Sequence, residues 1–159
     1  MNRLKFTLKA WPLITLITVA LCFLTQQVAK LFGVELPDQA NLDVVRRMAG
    51  LNLAFAFLIL EIVVILPVIE ELIFRLPMKI AKKWPKRGKI GFAAFLSVLF
   101  SGAHYIFQPF PDTAFIALAF FGIAQCWLYK KTGSIFCPML NHALFNLTNL
   151  VLLFVIPAN

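Results

Sequence analysis

The sequence predicts an all-α membrane protein, a bundle of about five transmembrane helices with a polar intramembrane cavity. The first observation is composition: 61% of the 159 residues are hydrophobic and 14% are charged, whereas a soluble domain is nearer half apolar and a quarter charged. The second is that five apolar segments each approach the ~20 residues that cross ~30 Å of hydrocarbon as a helix. They cover residues 10–29, 51–76, 90–107, 114–129 and 135–156. Because backbone polar groups in lipid must pair within their own segment, each is expected to be a helix.

Local signals delimit these helices in order. The first segment follows basic residues, and no small-residue cleavage site follows it, which favours a retained helix over a signal peptide. The second segment contains Pro67, which predicts a kink. Pro109 and Pro111 separate the third segment from the fourth, and a turn at Gly133 precedes the fifth.

The basic residues predict the orientation of the bundle. Eleven of them lie before the first segment, after the second and after the fourth, whereas three lie on the opposite side. The positive-inside rule therefore places the N-terminus in the cytoplasm and the C-terminus outside, in what we expect to be a bacterial cell membrane. Residues 32–50 become an external loop with a short interfacial helix. The net charge of +8 is thus interpreted as a topology signal and not as a nucleic-acid surface.

The chain has the length of a single domain, residues 1–159. Its three cysteines, Cys22, Cys126 and Cys137, lie in or beside apolar runs and form no CxxC pair. They are interpreted as small buried apolar side chains and not as metal or redox groups.

Four ionisable side chains lie within or at the ends of the apolar segments: Glu70, Glu71, His104 and His142, which include both histidines of the chain. Such groups persist in a bilayer mainly where they line a functional cavity, pair or carry an ion. Glu71 and Arg75 are four residues apart, acid before base, and are expected to pair. Adjacent helical residues point about 100° apart, so Glu70 has no partner on its own helix and is suited to act as a general base. The alternative is that the run is an interfacial cap facing lipid headgroups.

Two further segments contribute polar groups at similar depth. Phe100 lies one turn before His104, while His142 and Asn146 are four apart and point into the same space. Counted from the nearest cytoplasmic basic residue, Glu70, His142 and His104 lie roughly 13, 16 and 22 Å deep. These side chains are therefore expected to share one cavity. Interhelical hydrogen bonding is the simpler alternative for each histidine and asparagine taken alone.

Three spaced motifs occur in order along the chain: Glu70-Glu71-x-x-x-Arg75, Phe100-x-x-x-His104 and His142-x-x-x-Asn146. Together they resemble the motifs of the CPBP intramembrane proteases. That family includes type II CAAX prenyl endopeptidases and Abi-type proteins associated with bacteriocin processing or self-immunity. The resemblance covers residues 51–151, the expected catalytic core, and leaves the first helix and external loop of residues 1–50 outside it.

The resemblance implies an intramembrane endopeptidase that hydrolyses a peptide bond. Glu70 and His104 are then implied to activate a water, and His142 and Asn146 to hold the oxyanion. The other motif residues are expected to support the site: Glu71, Arg75 and Phe100. A metalloprotease is the alternative, with Glu70, His104 and His142 as a zinc site. Because the chain has no H-E-x-x-H helix, glutamate-type hydrolysis without a cofactor is favoured.

The expected partners are a peptide or membrane-protein substrate and the lipid bilayer, with no nucleic acid; no sequence signal sets an oligomeric state. Two non-protease functions are the alternatives. One is a small ion or proton transporter, in which the carboxylate and histidines form a relay. The other is a non-catalytic bundle that binds a peptide, as a bacteriocin immunity protein would. Transporters of this kind are often built from inverted repeats, and the five unequal segments show none, which favours the protease.

Overall fold

The computed structural model of the protein describes residues 2–37, 40–50, 52–106 and 110–155. All regular structure within these ranges is helical, which confirms the predicted all-α class. The segment bounds predicted at positions 51, 107 and 156, and the break predicted at Pro109, lie outside the described residues.

Seven α-helices follow one another along the described chain: α1 (Arg3–Leu31), α2 (Ala40–Met48), α3 (Leu53–Leu60), α4 (Leu66–Arg75), α5 (Lys86–Ala103), α6 (Phe115–Thr132) and α7 (Phe136–Val155). A π-turn joins α3 to α4, and a 3₁₀ segment, Leu76–Lys83, continues α4 towards α5. The short helix α2 lies in the predicted external loop, as the sequence indicated. Gly133 ends α6 in the left-handed conformation that glycine adopts without a steric penalty.

The structure offers fewer candidate spans than the five apolar segments suggested. Within the described residues, three helical stretches are long and apolar enough to cross a membrane: Arg3–Leu31, Leu53–Lys83 and Phe136–Val155. Helices α5 and α6 have 18 residues each, and both carry lysines in an end turn, at the start of α5 and at the end of α6. Charged end turns shorten the apolar part of a helix. The protein is nonetheless an integral membrane protein, with large apolar side chains exposed along its spanning helices.

Pro67 interrupts the second spanning stretch through the π-turn Glu61–Ile65. In this turn the Leu66 N–H bonds the Glu61 carbonyl, five residues back, instead of the Ile62 carbonyl. The next amide that could reach Ile62 in a π-ladder belongs to Pro67, which has no N–H. The Ile62 carbonyl is therefore left without a partner in its own helix.

Helices α5 and α6 pack antiparallel at close range. Ser97 on α5 faces Gly122 on α6, where a Cβ atom would lie 2.9 Å from the Ser97 Cα. Farther along the pair, the Ser101 hydroxyl donates to the Phe115 carbonyl at 2.7 Å. Helices α1 and α7 pack against α6, and the shared apolar core contains Ile14, Phe100, Ala114, Leu118, Phe121, Ala124 and Phe145. This core positions the polar side chains of α4, α5 and α7.

Candidate active site

A buried ionic cluster centres on Glu71. One of its carboxylate oxygens, Oε2, accepts a hydrogen bond from Arg75 Nε at 2.8 Å, the i,i+4 pair that the sequence predicted. The other, Oε1, lies 2.9 Å from His142 Nδ1 on α7. Glu71 and Arg75 are fully buried, so both charges depend on these partners. The cluster therefore links α4 to α7 and fixes the His142 ring.

The bond to Glu71 also determines which nitrogen of His142 is free. A carboxylate paired with an arginine accepts hydrogen bonds, so the His142 Nδ1 must carry the proton, and the tautomer follows from this geometry. In the neutral ring, Nε2 then presents a lone pair. That atom lies 3.6 Å from Glu70 Oε2. The Glu70 side chain is 24% exposed, whereas that of Glu71 is fully buried.

Phe100 on α5 connects the cluster to the second histidine. The Arg75 guanidinium carbon lies 5.2 Å from the centre of the Phe100 ring, a cation–π contact. The same ring lies 5.8 Å from His142 and 4.9 Å from His104, edge to face with both. His104 Nδ1 donates to the Phe100 carbonyl at 2.9 Å, so in the neutral ring the lone pair is on Nε2. Both imidazoles thus contact one buried aromatic ring.

Asn146 pairs with the backbone that Pro67 leaves unsatisfied. Its Nδ2 donates to the Ile62 carbonyl of the π-turn at 2.8 Å. This bond holds α7 against the second spanning stretch, one helical turn from His142. Of the sequence-predicted site residues, the structure joins Glu70, Glu71, Arg75 and His142 directly. Phe100 lies between this group and His104, and Asn146 is linked to the group through α7.

The order of these groups along the chain matches a known protease family. A family comparison matches residues 52–148 to the family described as type II CAAX prenyl endopeptidase Rce1-like. The chain belongs to this family. The resemblance inferred from the three motifs is thereby confirmed. Comparisons with curated proteins and with solved structures gave no match to the chain.

Membership of the type II CAAX prenyl endopeptidase Rce1-like family indicates an intramembrane protease of the CAAX type. The matched range includes every predicted site residue and runs from the start of α3 to residue 148, about two turns before the end of α7. Helices α1 and α2 lie outside it, as expected from the motifs. The first helix nevertheless contributes Ile14 to the core beneath the site.

Further buried polar groups near the cluster were missed or undervalued by the sequence analysis. Within the described residues, Arg75 Nη2 and both amide atoms of Gln125 and Asn141 have no hydrogen-bond partner. Gln125 lies one turn beyond Phe121, whose ring contacts His142 at 5.0 Å. A glutamine in the middle of an apolar helix was the available signal. Unsatisfied buried polar atoms can bind an ordered water or a polar substrate group.

The alternative zinc site would draw on Glu70, His104 and His142. Within the described ranges, no three His, Cys, Asp or Glu side chains are placed so that they could hold one metal ion. Glu70 Oε2 approaches His142 Nε2. His104 Nδ1 instead bonds the backbone carbonyl of Phe100.

A cavity of about 280 Å³ lies close by, between α1, α6 and α7, with Phe145 in its wall. Neither histidine lines that cavity.

Proposed function

We propose that the protein hydrolyses a peptide bond within the membrane by means of a water molecule activated by Glu70. The observation that carries the proposal is the approach of Glu70 Oε2 to His142 Nε2, 3.6 Å apart beside a partly exposed carboxylate. A single water oxygen can lie within hydrogen-bond distance of both atoms. Glu71 and Arg75 neutralise each other, so they leave Glu70 as the carboxylate that is free to accept a proton.

The proposed reaction has two steps, the addition of water to the scissile carbonyl and the collapse of the tetrahedral intermediate. The water oxygen bonds to the scissile carbonyl carbon as Glu70 takes one water proton, and the carbonyl oxygen becomes an oxyanion. The tetrahedral intermediate then collapses. Its C–N bond breaks, the Glu70 proton passes to the leaving nitrogen, and the products are a carboxyl group and an amine. General acid–base catalysis of this kind contributes about 10²–10⁴ in rate.

The two histidines have different surroundings, and we assign them different roles. His142 shares the water with Glu70, because its Nε2 is the imidazole nitrogen nearest that carboxylate. His104 bonds the Phe100 carbonyl and packs against the Phe100 ring, and we assign it to the substrate instead of the water. The family resemblance implies the converse, with His104 on the water. Loss of either imidazole removes a group from the reaction, and loss of His142 also removes a buried partner of Glu71.

Asn146 is proposed as an oxyanion donor despite its bond to Ile62. A side-chain amide nitrogen carries two hydrogens, so one can bind the Ile62 carbonyl while the other points to the substrate. The bond to the backbone fixes the amide in place, which is the preorganisation that oxyanion stabilisation requires. Removal of one such donor typically costs about 10²–10³ in rate.

The proposed substrate is a peptide or a membrane-protein segment, and the proposed hydrolysis needs no cofactor. The site is reached from the cytoplasmic half of a bacterial membrane, with the N-terminus in the cytoplasm. Family membership makes a prenylated CAAX peptide the first substrate to test.

The test compares Glu70→Gln with Glu61→Gln in the full chain reconstituted into vesicles. Glu61 is an exposed carboxylate in the same spanning stretch. Cleavage of a prenylated CAAX peptide, and of the same peptide without its prenyl group, is measured by mass spectrometry. We expect Glu70→Gln to lose at least about 10²-fold in rate and Glu61→Gln to retain the parent rate. Full cleavage by Glu70→Gln would refute the assignment of the base.

Two histidine variants and a chelator treatment test the roles assigned to the histidines and the absence of a cofactor. His104→Ala is expected to lose cleavage with a smaller loss of thermal stability than His142→Ala, because His142 is also a buried partner of Glu71. Equal stability of the two variants would contradict the distinct surroundings assigned to the histidines. Activity should also persist after treatment with a chelator; activity that is lost and then restored by zinc would replace the cofactor-free reaction with a metal-dependent one.

A further inference from the structure

A larger cavity lies at the basic end of the bundle, where the 3₁₀ segment Leu76–Lys83 meets the start of α5 and the end of α6. Its volume is about 680 Å³. None of the proposed catalytic side chains lines it. It therefore offers a binding space separate from the site of hydrolysis.

Four lysines line this cavity: Lys79, Lys82, Lys89 and Lys130. No acidic residue is among its lining residues, and within the described part of the chain none of the four lysines makes an ion pair. Like charges that converge on one space without counter-ions repel one another. The cavity is thus complementary to an anion.

The remaining walls of the cavity are apolar. Ile90 is 57% exposed, Ile123 48% and Trp127 42%, and all three line the cavity. Tyr129 also lines it. Tryptophan and tyrosine are enriched at the level of lipid headgroups, so these side chains place the cavity at the membrane interface. A soluble anion such as inorganic phosphate would leave these apolar walls uncovered.

We propose that this cavity binds one anionic phospholipid. The four lysines hold its headgroup phosphate, and an acyl chain lies along Ile90, Ile123 and Trp127. Basic pockets between membrane helices on the cytoplasmic side are known to suit such headgroups. The volume is within the range of small-ligand sites and accommodates a headgroup together with the first part of a chain.

The lipid site shares a wall with the buried ionic cluster. Cys126 lines the cavity, and its Sγ lies 3.7 Å from Arg75 Nη1. Ala93, also in the wall, has its carbonyl 4.0 Å from the same sulfur. A bound lipid therefore packs against the side chains that enclose Arg75, and occupancy of the cavity stabilises the fold around the cluster.

The experiment uses two variants with the same change in net charge. The cavity variant is K79Q/K82Q/K89Q/K130Q. The control variant, K83Q/K86Q/R87Q/K131Q, changes exposed basic residues of the same regions that do not line the cavity. Phosphatidylglycerol or phosphatidylcholine is titrated into the detergent-solubilised full chain. Bound lipid is counted by native mass spectrometry, and the thermal midpoint is recorded in parallel.

We expect the parent chain and the control variant to retain one phosphatidylglycerol and to melt at a higher temperature when it is added. The cavity variant is expected to bind it up to about a thousandfold more weakly, since each lysine near a lipid headgroup contributes about 1 kcal/mol. Equal loss in both variants would show a diffuse electrostatic attraction and overturn the proposal. Equal retention of phosphatidylcholine by the parent chain would overturn it as well.

A second variant tests the acyl-chain contact with all charges kept. I90S/I123S changes two exposed side chains, so the fold should persist. We expect it to weaken phosphatidylglycerol binding at least fivefold. Inorganic phosphate should not displace the lipid from the parent chain. Displacement by phosphate at equal concentration, or unchanged lipid binding in I90S/I123S, would show an anion site without a lipid contact and refute the proposal.

Discussion

Replacement of Glu71 by glutamine should strongly destabilise the protein. The Glu71 carboxylate is fully buried and receives hydrogen bonds from Arg75 Nε at 2.8 Å and from His142 Nδ1 at 2.9 Å. A glutamine of the same shape offers one acceptor oxygen to these two donors, and it leaves the Arg75 charge buried without a counter-charge. Breaking a buried pair in this way costs about 3–5 kcal/mol. For a chain of this size that lowers the melting temperature by about 6–20 °C.

One buried cysteine provides the assay. Cys137 is 3% exposed, so in a chain whose Cys22 and Cys126 are replaced by alanine a thiol-reactive fluorophore labels it only as the protein unfolds. The midpoint of labelling on heating should fall for Glu71→Gln and stay at the parent value for the exposed control Glu61→Gln. A Glu71→Gln midpoint within about 2 °C of that control, less than the shift from a loss of 1 kcal/mol, would refute the reasoning.

A double variant tests whether the uncompensated Arg75 charge is the cause. Arg75→Met alone should destabilise as Glu71→Gln does, because it strands the Glu71 carboxylate. In the double variant both charges are gone, which removes the uncompensated buried charge that makes each single change costly. We therefore expect the double variant to melt above either single variant. Additive losses would instead mean that packing, and not charge, sets the cost.

The remaining predictions concern glycines at helix contacts and ends, measured by the same labelling assay. Gly122→Ala would place a Cβ 2.9 Å from the Ser97 Cα and should destabilise the protein by about 1–3 kcal/mol. The matched control is Gly91→Ala, whose added Cβ would meet no atom within 4 Å. This control should leave stability unchanged or raise it by up to about 1 kcal/mol. A Gly122→Ala midpoint at or above that of Gly91→Ala would contradict the close contact of α5 and α6. Gly133→Ala should cost about 1 kcal/mol because φ is +64° at the end of α6, and an unchanged midpoint would contradict that reason.

Contacts within one helix could be predicted from the sequence, because helical spacing alone determines them. The Glu71–Arg75 pair follows from residues four apart, and the Phe100 carbonyl accepts from His104 at the same spacing. The apolar pattern likewise predicted the all-α class, and the motif order predicted the family.

Contacts between helices could not be predicted in the same way. The bond from His142 to Glu71 depends on how α7 packs against α4, and residues 71 positions apart carry no spacing signal. Pro67 was expected to kink the helix, but not to create a π-turn whose free carbonyl binds Asn146. Fewer candidate spans are found in the described residues than there are apolar runs, because α5 includes lysines in its first turn and α6 includes lysines in its last turn.

The short reach of α5 and α6 has a consequence for the surrounding bilayer. Without their charged turns, the apolar parts of these helices extend about 21–23 Å, against a hydrocarbon thickness of about 30 Å. Such hydrophobic mismatch is relieved by local thinning of the bilayer next to the short helices. The water that reaches Glu70 would then cross less hydrocarbon on the flank formed by α5 than elsewhere. Cleavage should slow as the enzyme is reconstituted into lipids with longer acyl chains, and a rate independent of chain length would contradict local thinning.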